Sequence, residues 1–241
     1  MSADRTALSA RSQLAALAAA ARAGQGTGVI PERYRLPAGS RPRAAAVLML
    51  FGVLDSLPSD HEAVSEAVSR DLDVLLLARA STLRSHAGEV AFPGGRIDPE
   101  DDDAVAAALR EAQEETGLRP EGVDVLGALD EVPLVYSQHL VTPVLAWWRH
   151  PSPVRVVDVA ESAAVFRMPV ADLLDPENRG VTVIRRDGEV WSAPAFLVPY
   201  DGGERLVWGF TALLLDRLFD RLGWTEPWDH TREIPLAPRA D

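Results

Sequence analysis

The stretch GGRIDPEDDDAVAAALREAQEETGL, residues 94–118, decides how the rest of the chain is read. It opens on two glycines, passes through Asp98, Glu100, Asp101, Asp102 and Asp103, and enters a run of helix formers that stops at Gly117. Alanine, leucine and glutamate favour helix. Aspartates at the start cap the first turn and complement the helix dipole, and a glycine ends it. The spacing predicts a helix over 104–116. At about 100° per residue, Val105, Ala108, Leu109, Ala112 and Thr116 share one face. Glu111, Glu114 and Glu115 fall within an arc of about 100° on another.

Glu111 stands four residues from Glu115 and three from Glu114, and like charges at that spacing destabilise a helix. A divalent cation offsets such repulsion. Three carboxylates on one ridge are a hard-oxygen donor set suited to Mg²⁺ or Mn²⁺. Arg110 offsets part of it too, and a solvated acidic helix face is the plain alternative. The upstream loop weighs towards the cation. Phe92-Pro93-Gly94-Gly95 sets a rigid turn and two residues without side chains beside the helix, where backbone can approach a ligand closely.

Outward from this segment, apolar runs predict strands at 44–53 and 73–80, a short strand at 89–92, and further strands at 123–130, 140–148, 163–168, 181–185 and 189–198. The alanines of residues 8–24 favour a helix closed by Gly24, and residues 24–43 read as a Gly-, Pro- and Arg-rich linker. Residues 55–70 read as a loop or short helix. Leucines at helical spacing predict a last helix over 211–223, followed by an irregular tail. The expected organisation is a helix and linker over 1–43, one domain over 44–223, and a tail over 224–241. Strands with helices before, between and after them predict an α/β chain with an α/β/α layered domain.

Composition narrows the chemistry. The 241 residues carry a net charge of −12 with 24 basic residues, all of them arginine, and no cysteine. Thiolate metal sites, cysteine nucleophiles and lysine Schiff bases are excluded. The acidic balance argues against nucleic acid or an anionic membrane as partner, and no run is long enough for a membrane helix. A cytoplasmic protein is expected, since Asp4 and Arg22 interrupt any targeting pattern at the N-terminus. The histidines His61, His139, His150 and His230 lack the spacing of a zinc site.

The segment resembles the Nudix box, G-x5-E-x7-R-E-U-x-E-E-x-G-U with U aliphatic. Arg110-Glu111-Ala112-Gln113-Glu114-Glu115-Thr116-Gly117-Leu118 matches its second half. The first half is one residue longer, and an aspartate among Asp101–Asp103 stands in for the upstream glutamate. Residues 75–95, LLLARASTLRSHAGEVAFPGG, are similar to the extended motif of the coenzyme A pyrophosphatase branch. Arg79, Ala80, Arg84, Gly88, Val90, Ala91, Phe92, Pro93, Gly94 and Gly95 are in register, and Leu77 replaces a threonine. VTPVL (141–145) and WGFTA (208–212) resemble later segments of that branch.

The resemblance implies a Nudix-type α/β/α sandwich around a mixed sheet with an N-terminal helical extension. It implies Mg²⁺- or Mn²⁺-dependent hydrolysis of coenzyme A to 3′,5′-ADP and 4′-phosphopantetheine. Glu111, Glu114 and Glu115 would be metal ligands, with Glu111, Glu115 and Arg110 the catalytic set and Arg110 fixing a glutamate rotamer. Arg79, Arg84, Gly94 and Gly95 would contact substrate. A guanidinium fork suits phosphate, although either arginine could instead bridge the loop acids. The general base stays open among Glu111, Glu115, Glu161 and Asp158. His86 reads as a phosphate contact or a loop hydrogen bond, and Trp147 or Trp148 as an adenine platform or as packing. A small-molecule nucleotide is the expected partner, and a homodimer is an assembly common in the family. Two other functions compete: a Nudix hydrolase for ADP-ribose or another nucleotide, and a silent nucleotide-binding module.

Overall fold

The computed structural model describes residues 9–26, 39–53, 58–80, 82, 88–134, 137–186 and 189–236. Its centre is β1 (Arg43–Val53), which alternates between two apolar faces. Ala46, Leu48 and Leu50 point to one core cluster and Met49 and Phe51 to the other. A strand apolar on both faces must be covered on both. β2 (Leu72–Arg79) runs antiparallel to β1 and β7 (His139–Trp148) runs parallel to it, so the sheet is mixed. The main path is β3 (Val90–Ala91), β2, β1, β7, β5 (Val123–Ala128). β4 (Gly94–Arg96) pairs with β1, β6 (Val132–Leu134) with β7, and β8 (Ser162–Pro169) with β2.

The helix predicted over 104–116 is α2 here, Ala104–Thr116, with the Asp103 side chain accepting from the Ala106 N–H at 2.8 Å and Gly117 left-handed at φ 69°. Ala107, Ala108 and Ala112 are its buried residues against Leu48, Leu50 and Leu75. The opposite face of the sheet is covered by α1 (Ala10–Arg22) and α4 (Gly209–Leu222). This is the expected α/β/α sandwich. The N-terminal helix is not an appendage to it: Leu14 and Ala18 are fully buried in the main cluster.

The second half departs from the expected pattern. The segments expected at 181–185 and 189–198 are longer, and form a separate antiparallel sheet of β9 (Arg179–Arg186), β10 (Glu189–Tyr200) and β11 (Gly203–Val207). β11 had no sequence signal, because its alternation is interrupted by Gly203, Glu204 and Arg205. The short α3 (Val170–Leu174) also lay inside a stretch with no predicted element. Of the expected short strand 89–92 only β3 forms, and the strand expected at 123–130 is β5, which ends at Ala128; β4 and β6 lie outside any expected strand. Residues 58–71 hold turns and bends rather than a helix. Among the described residues, no helix is long and apolar enough to cross a membrane.

Residues 224–236 lack helix but are anchored. Trp224 is buried and donates its indole N–H to the Gln13 side-chain Oε1 at 2.7 Å. Glu226 holds His61 at 3.0 Å, and Val181 and Glu233 form a parallel bridge.

Candidate active site

Pairing β4 with β1 lays Gly94 and Gly95 between the sheet and α2. Gly94 has no room for a side chain, since a Cβ would stand 2.3 Å from the Ala46 carbonyl oxygen. At Gly95 a Cβ would meet the Glu111 carboxylate at 2.4 Å. The two glycines therefore let the loop close onto the helix until a carboxylate lies against bare backbone. The Gly94 N–H then donates to Glu115 Oε2 at 2.9 Å.

That hydrogen bond is a modest return for burying a carboxylate. Burial pushes the Glu115 carboxyl up to about 7, the Gly94 N–H pulls it down, Glu111 raises it, Arg79 lowers it and Glu161 raises it. Desolvation of the anion outweighs the single donor. Glu111 is also raised, first by burial, against the lowering effect of Arg110.

Arg110 is the hub of the acidic ridge. Its Nε and Nη2 donate to the two oxygens of Asp101 at 2.9 Å each, a bidentate fork. Nη2 also donates to the Arg96 carbonyl at 3.0 Å, and Nη1 reaches Glu111 Oε1 and Glu114 Oε2 at 3.1 Å each. Arg110, expected to hold a glutamate of the ridge, contacts both Glu111 and Glu114, and Asp101 is a further partner. Asp101 replaces solvent on the far side of the guanidinium and accepts the Asp98 N–H at 2.8 Å. Its carboxyl is held below the usual range by the Arg110 hydrogen bonds. The extra residue in the loop and the Asp in place of the upstream glutamate signalled this contact, without saying which aspartate makes it.

The ridge supplies hard oxygen donors, but its side chains are already engaged with protein. Glu111 and Glu114 face Arg110 and Glu115 faces Gly94. Among the described residues, no three His, Asp or Glu side chains are gathered closely enough to hold a metal ion. The donor chemistry nonetheless fits a divalent cation. A buried carboxylate raised to about 7 is stabilised as the anion by a nearby cation, and Gly95 on the facing strand makes room for the Glu111 carboxylate itself.

Opposite the ridge stands the end of β2. Arg79 faces Glu115 electrostatically, and its Nε is buried without a hydrogen-bond partner among the described residues. The Ala80 N–H donates to the Glu161 carbonyl at 2.8 Å, which brings Glu161 into the same field. Asp158 is committed differently, since its Oδ1 accepts the Ala160 N–H at 2.7 Å and caps a turn. Arg84 and His86 lie outside the described residues. Trp148 is 3% exposed and belongs to the core behind α2, and Trp147 packs against the main cluster, so packing explains both. Leu77 is likewise 1% exposed, so its replacement of threonine is a packing change.

Comparison with known proteins gives this arrangement a setting. The family model of the NUDIX domain matches residues 60–187. The uncharacterized Nudix hydrolase NudL of Cronobacter sakazakii (strain ATCC BAA-894) is 42% identical over 153 residues, 62% of this chain and 75% of its own length. NudL of Escherichia coli (strain K12) is 40% identical over 150 residues, with 62% and 75% covered. Among solved structures, the Nudix hydrolase RenU of M. smegmatis has 21% identity and a TM-score of 0.44, over 74% of this chain and 84% of that one. The NUDIX domain of Shewanella oneidensis NrtR, complexed with ADP ribose, has 21% identity and a TM-score of 0.41 over 58% and 81%.

Proposed function

This chain belongs to the Nudix family of pyrophosphohydrolases, and from that premise we propose that it cleaves the diphosphate of coenzyme A or its derivatives to 3′,5′-ADP and 4′-phosphopantetheine or its acyl form. Enzymes of the family generally use divalent metal ions such as Mg²⁺ or Mn²⁺. The observation that carries the reading is Arg79. It is the arginine of the extended motif in residues 75–95, and its buried Nε, near Glu115, has no hydrogen-bond partner among the described residues. A guanidinium with a free donor next to a carboxylate ridge suits a phosphate drawn in alongside a cation.

Glu111, Glu114 and Glu115 would hold the metal. Bound there, it would neutralise the diphosphate and make water a better nucleophile. The chain's own residues do the rest. Arg110 fixes Glu111 and Glu114 from behind and ties them to Asp101 and Arg96. Gly94 aims Glu115, and Gly95 makes room for the Glu111 carboxylate. Glu161 is the better of the two loop candidates for accepting the water proton, because Asp158 is spent on its own turn. The expected location is the cytoplasm.

The experiment is product analysis. Purified protein is incubated with coenzyme A and Mg²⁺ or Mn²⁺, beside a Glu115→Gln control, ADP-ribose and diadenosine compounds. Release of 3′,5′-ADP and 4′-phosphopantetheine, abolished in the control, supports the proposal. Intact coenzyme A with another diphosphate cleaved would replace it with that substrate.

A further inference from the structure

The loop between β7 and β8 is tied at both ends to the elements that carry the site. The Arg155 N–H donates to the Thr116 carbonyl at 2.9 Å, which fastens the loop to the end of α2. The Ala80 N–H donates to the Glu161 carbonyl at 2.8 Å, which fastens the far side to the end of β2. There the pairing of β2 with β8 shifts register: Ala78 stands opposite Ala164, but Arg79 stands opposite Ser162, and Ala163 is left over. Such a bulge bends its strand and re-aims the residues beside it. The extra residue draws Glu161 up to Ala80, where an unbroken ladder would put Ser162.

Between the two ties the chain makes one turn, and Asp158 closes it. Its Oδ1 accepts the Ala160 N–H at 2.7 Å, and its carbonyl accepts the N–H groups of Glu161 and Ser162 at 3.2 and 3.0 Å. An aspartate side chain bonded to the backbone two residues on holds a turn in shape. Three successive N–H groups therefore converge on Asp158. Ser162 is buried and Glu161 is exposed. Among the described residues no hydrogen bond holds the Glu161 carboxylate itself, so its place is inherited from the turn. Its charge raises Glu115, the same carboxyl that Arg79 lowers.

Resting on the reading of Glu161 as the group that accepts the water proton, we propose that Asp158 is a positioning residue, which closes the turn over Asp158–Ser162 and so holds the Glu161 carboxylate towards the ridge. Asp158 touches neither substrate nor metal in this scheme and acts only through Glu161. Without its side chain the turn loosens and the glutamate swings. The rate then falls, while substrate binding, left to Arg79 and the ridge, stays the same.

The test is a double-mutant cycle on the full chain with Mg²⁺, run on the diphosphate that wild type cleaves in the product analysis. Wild type, Asp158→Ala, Asp158→Asn, Glu161→Gln and the Asp158→Ala/Glu161→Gln double variant are compared in kcat and KM, each assayed well below its thermal midpoint. Glu161→Gln is expected to lower kcat about 10²- to 10⁴-fold, the usual worth of a positioned proton acceptor. Asp158→Ala is expected to lower kcat roughly 10- to 100-fold with KM unchanged, the cost of misplacing a reacting group by about 1 Å. Asp158→Asn keeps an oxygen that accepts the Ala160 N–H and is expected to restore most of kcat. In the Glu161→Gln background Asp158→Ala should cost nothing further, since the two act as one unit. Asp158→Ser, which leaves a weaker acceptor in the turn, replaces the alanine variant if that one does not fold. An equal fold-loss from Asp158→Ala in both backgrounds, or unchanged kcat in either single variant, would overturn the proposal. Coenzyme A left intact while another diphosphate is cleaved would replace the substrate reading, and the same cycle on that diphosphate then supports or overturns the role of Asp158.

Discussion

Metal uptake by the ridge should depend on pH through Glu115. Its carboxyl, pushed up to about 7 by burial, must lose its proton before it can act as an anionic ligand. With half-ionisation near 7, roughly ten elevenths of the molecules carry the anion at pH 8 and about one eleventh at pH 6. Affinity for Mn²⁺ is therefore expected to fall about tenfold between those values, about 1.4 kcal/mol. Glu111, also raised by burial, adds to the slope in the same direction. Binding at pH 6 should release close to one proton from Glu115. Titration calorimetry at pH 6 and 8, in two buffers of different ionisation heat, reads both quantities. Glu115→Gln should bind Mn²⁺ more weakly at either pH and release correspondingly less. Equal affinity at pH 6 and 8 with no proton release in the native chain would refute the argument. It would mean that Glu115 either ionises freely or takes no part in holding the ion.

Further outcomes follow from the same geometry. Gly94→Ala drives a Cβ into β1 backbone and should cost about 1–3 kcal/mol of stability by denaturant unfolding. Gly95→Ala meets only the movable end of Glu111, so the midpoint should hold while kcat/KM drops about 10- to 100-fold. Arg110→Lys keeps the charge but loses the fork to Asp101, and a similar 10- to 100-fold loss in activity is expected from steady-state rates. Asp73 is buried in β2 and raised from 3.8 to about 7, chiefly by desolvation. The unfolded chain releases this proton first, so stability falls as pH rises from about 4 to 7 and the loss is complete above 7. Asp73→Asn should stabilise the protein at pH 8 by about 1–4 kcal/mol, the Arg167 charge keeping it below the upper figure, and should gain nothing at pH 3. Chemical denaturation across that range measures it.

The core of the fold was legible because its signals are local. α2 announces itself through the aspartates before it and Gly117 after it, and β1 through an unbroken apolar run. The ridge of Glu111, Glu114 and Glu115 could be placed on one helix face by spacing alone. What spacing cannot supply is which groups meet from distant parts of the chain. The preference of Arg110 for Asp101 over its neighbours depends on how the loop turns at Asp98. The commitment of Asp158 to its own turn separates it from Glu161 only once Ala80 is seen to bind the latter's carbonyl. Gly94 and Gly95 read as ligand contacts in sequence. In the structure their missing side chains make room for β1 and for Glu111. The second sheet was half legible, because β9 and β10 carry apolar runs whereas β11 is polar at its outer end.

The hydrogen bond between Trp224 and Gln13 joins positions 211 apart in the chain. During synthesis α1 emerges long before Trp224 and α4 on the same side of the core, with Leu14 and Leu17 ready for burial. Closing so long a loop costs entropy that only the finished core repays. The nascent protein therefore carries an open seam until Trp224 has been made, and α1 and α4 then close it together. A chain truncated before Trp224 would lose the seal, leave the Gln13 amide without that partner, and expose the apolar side of α1 to any other surface that could cover it.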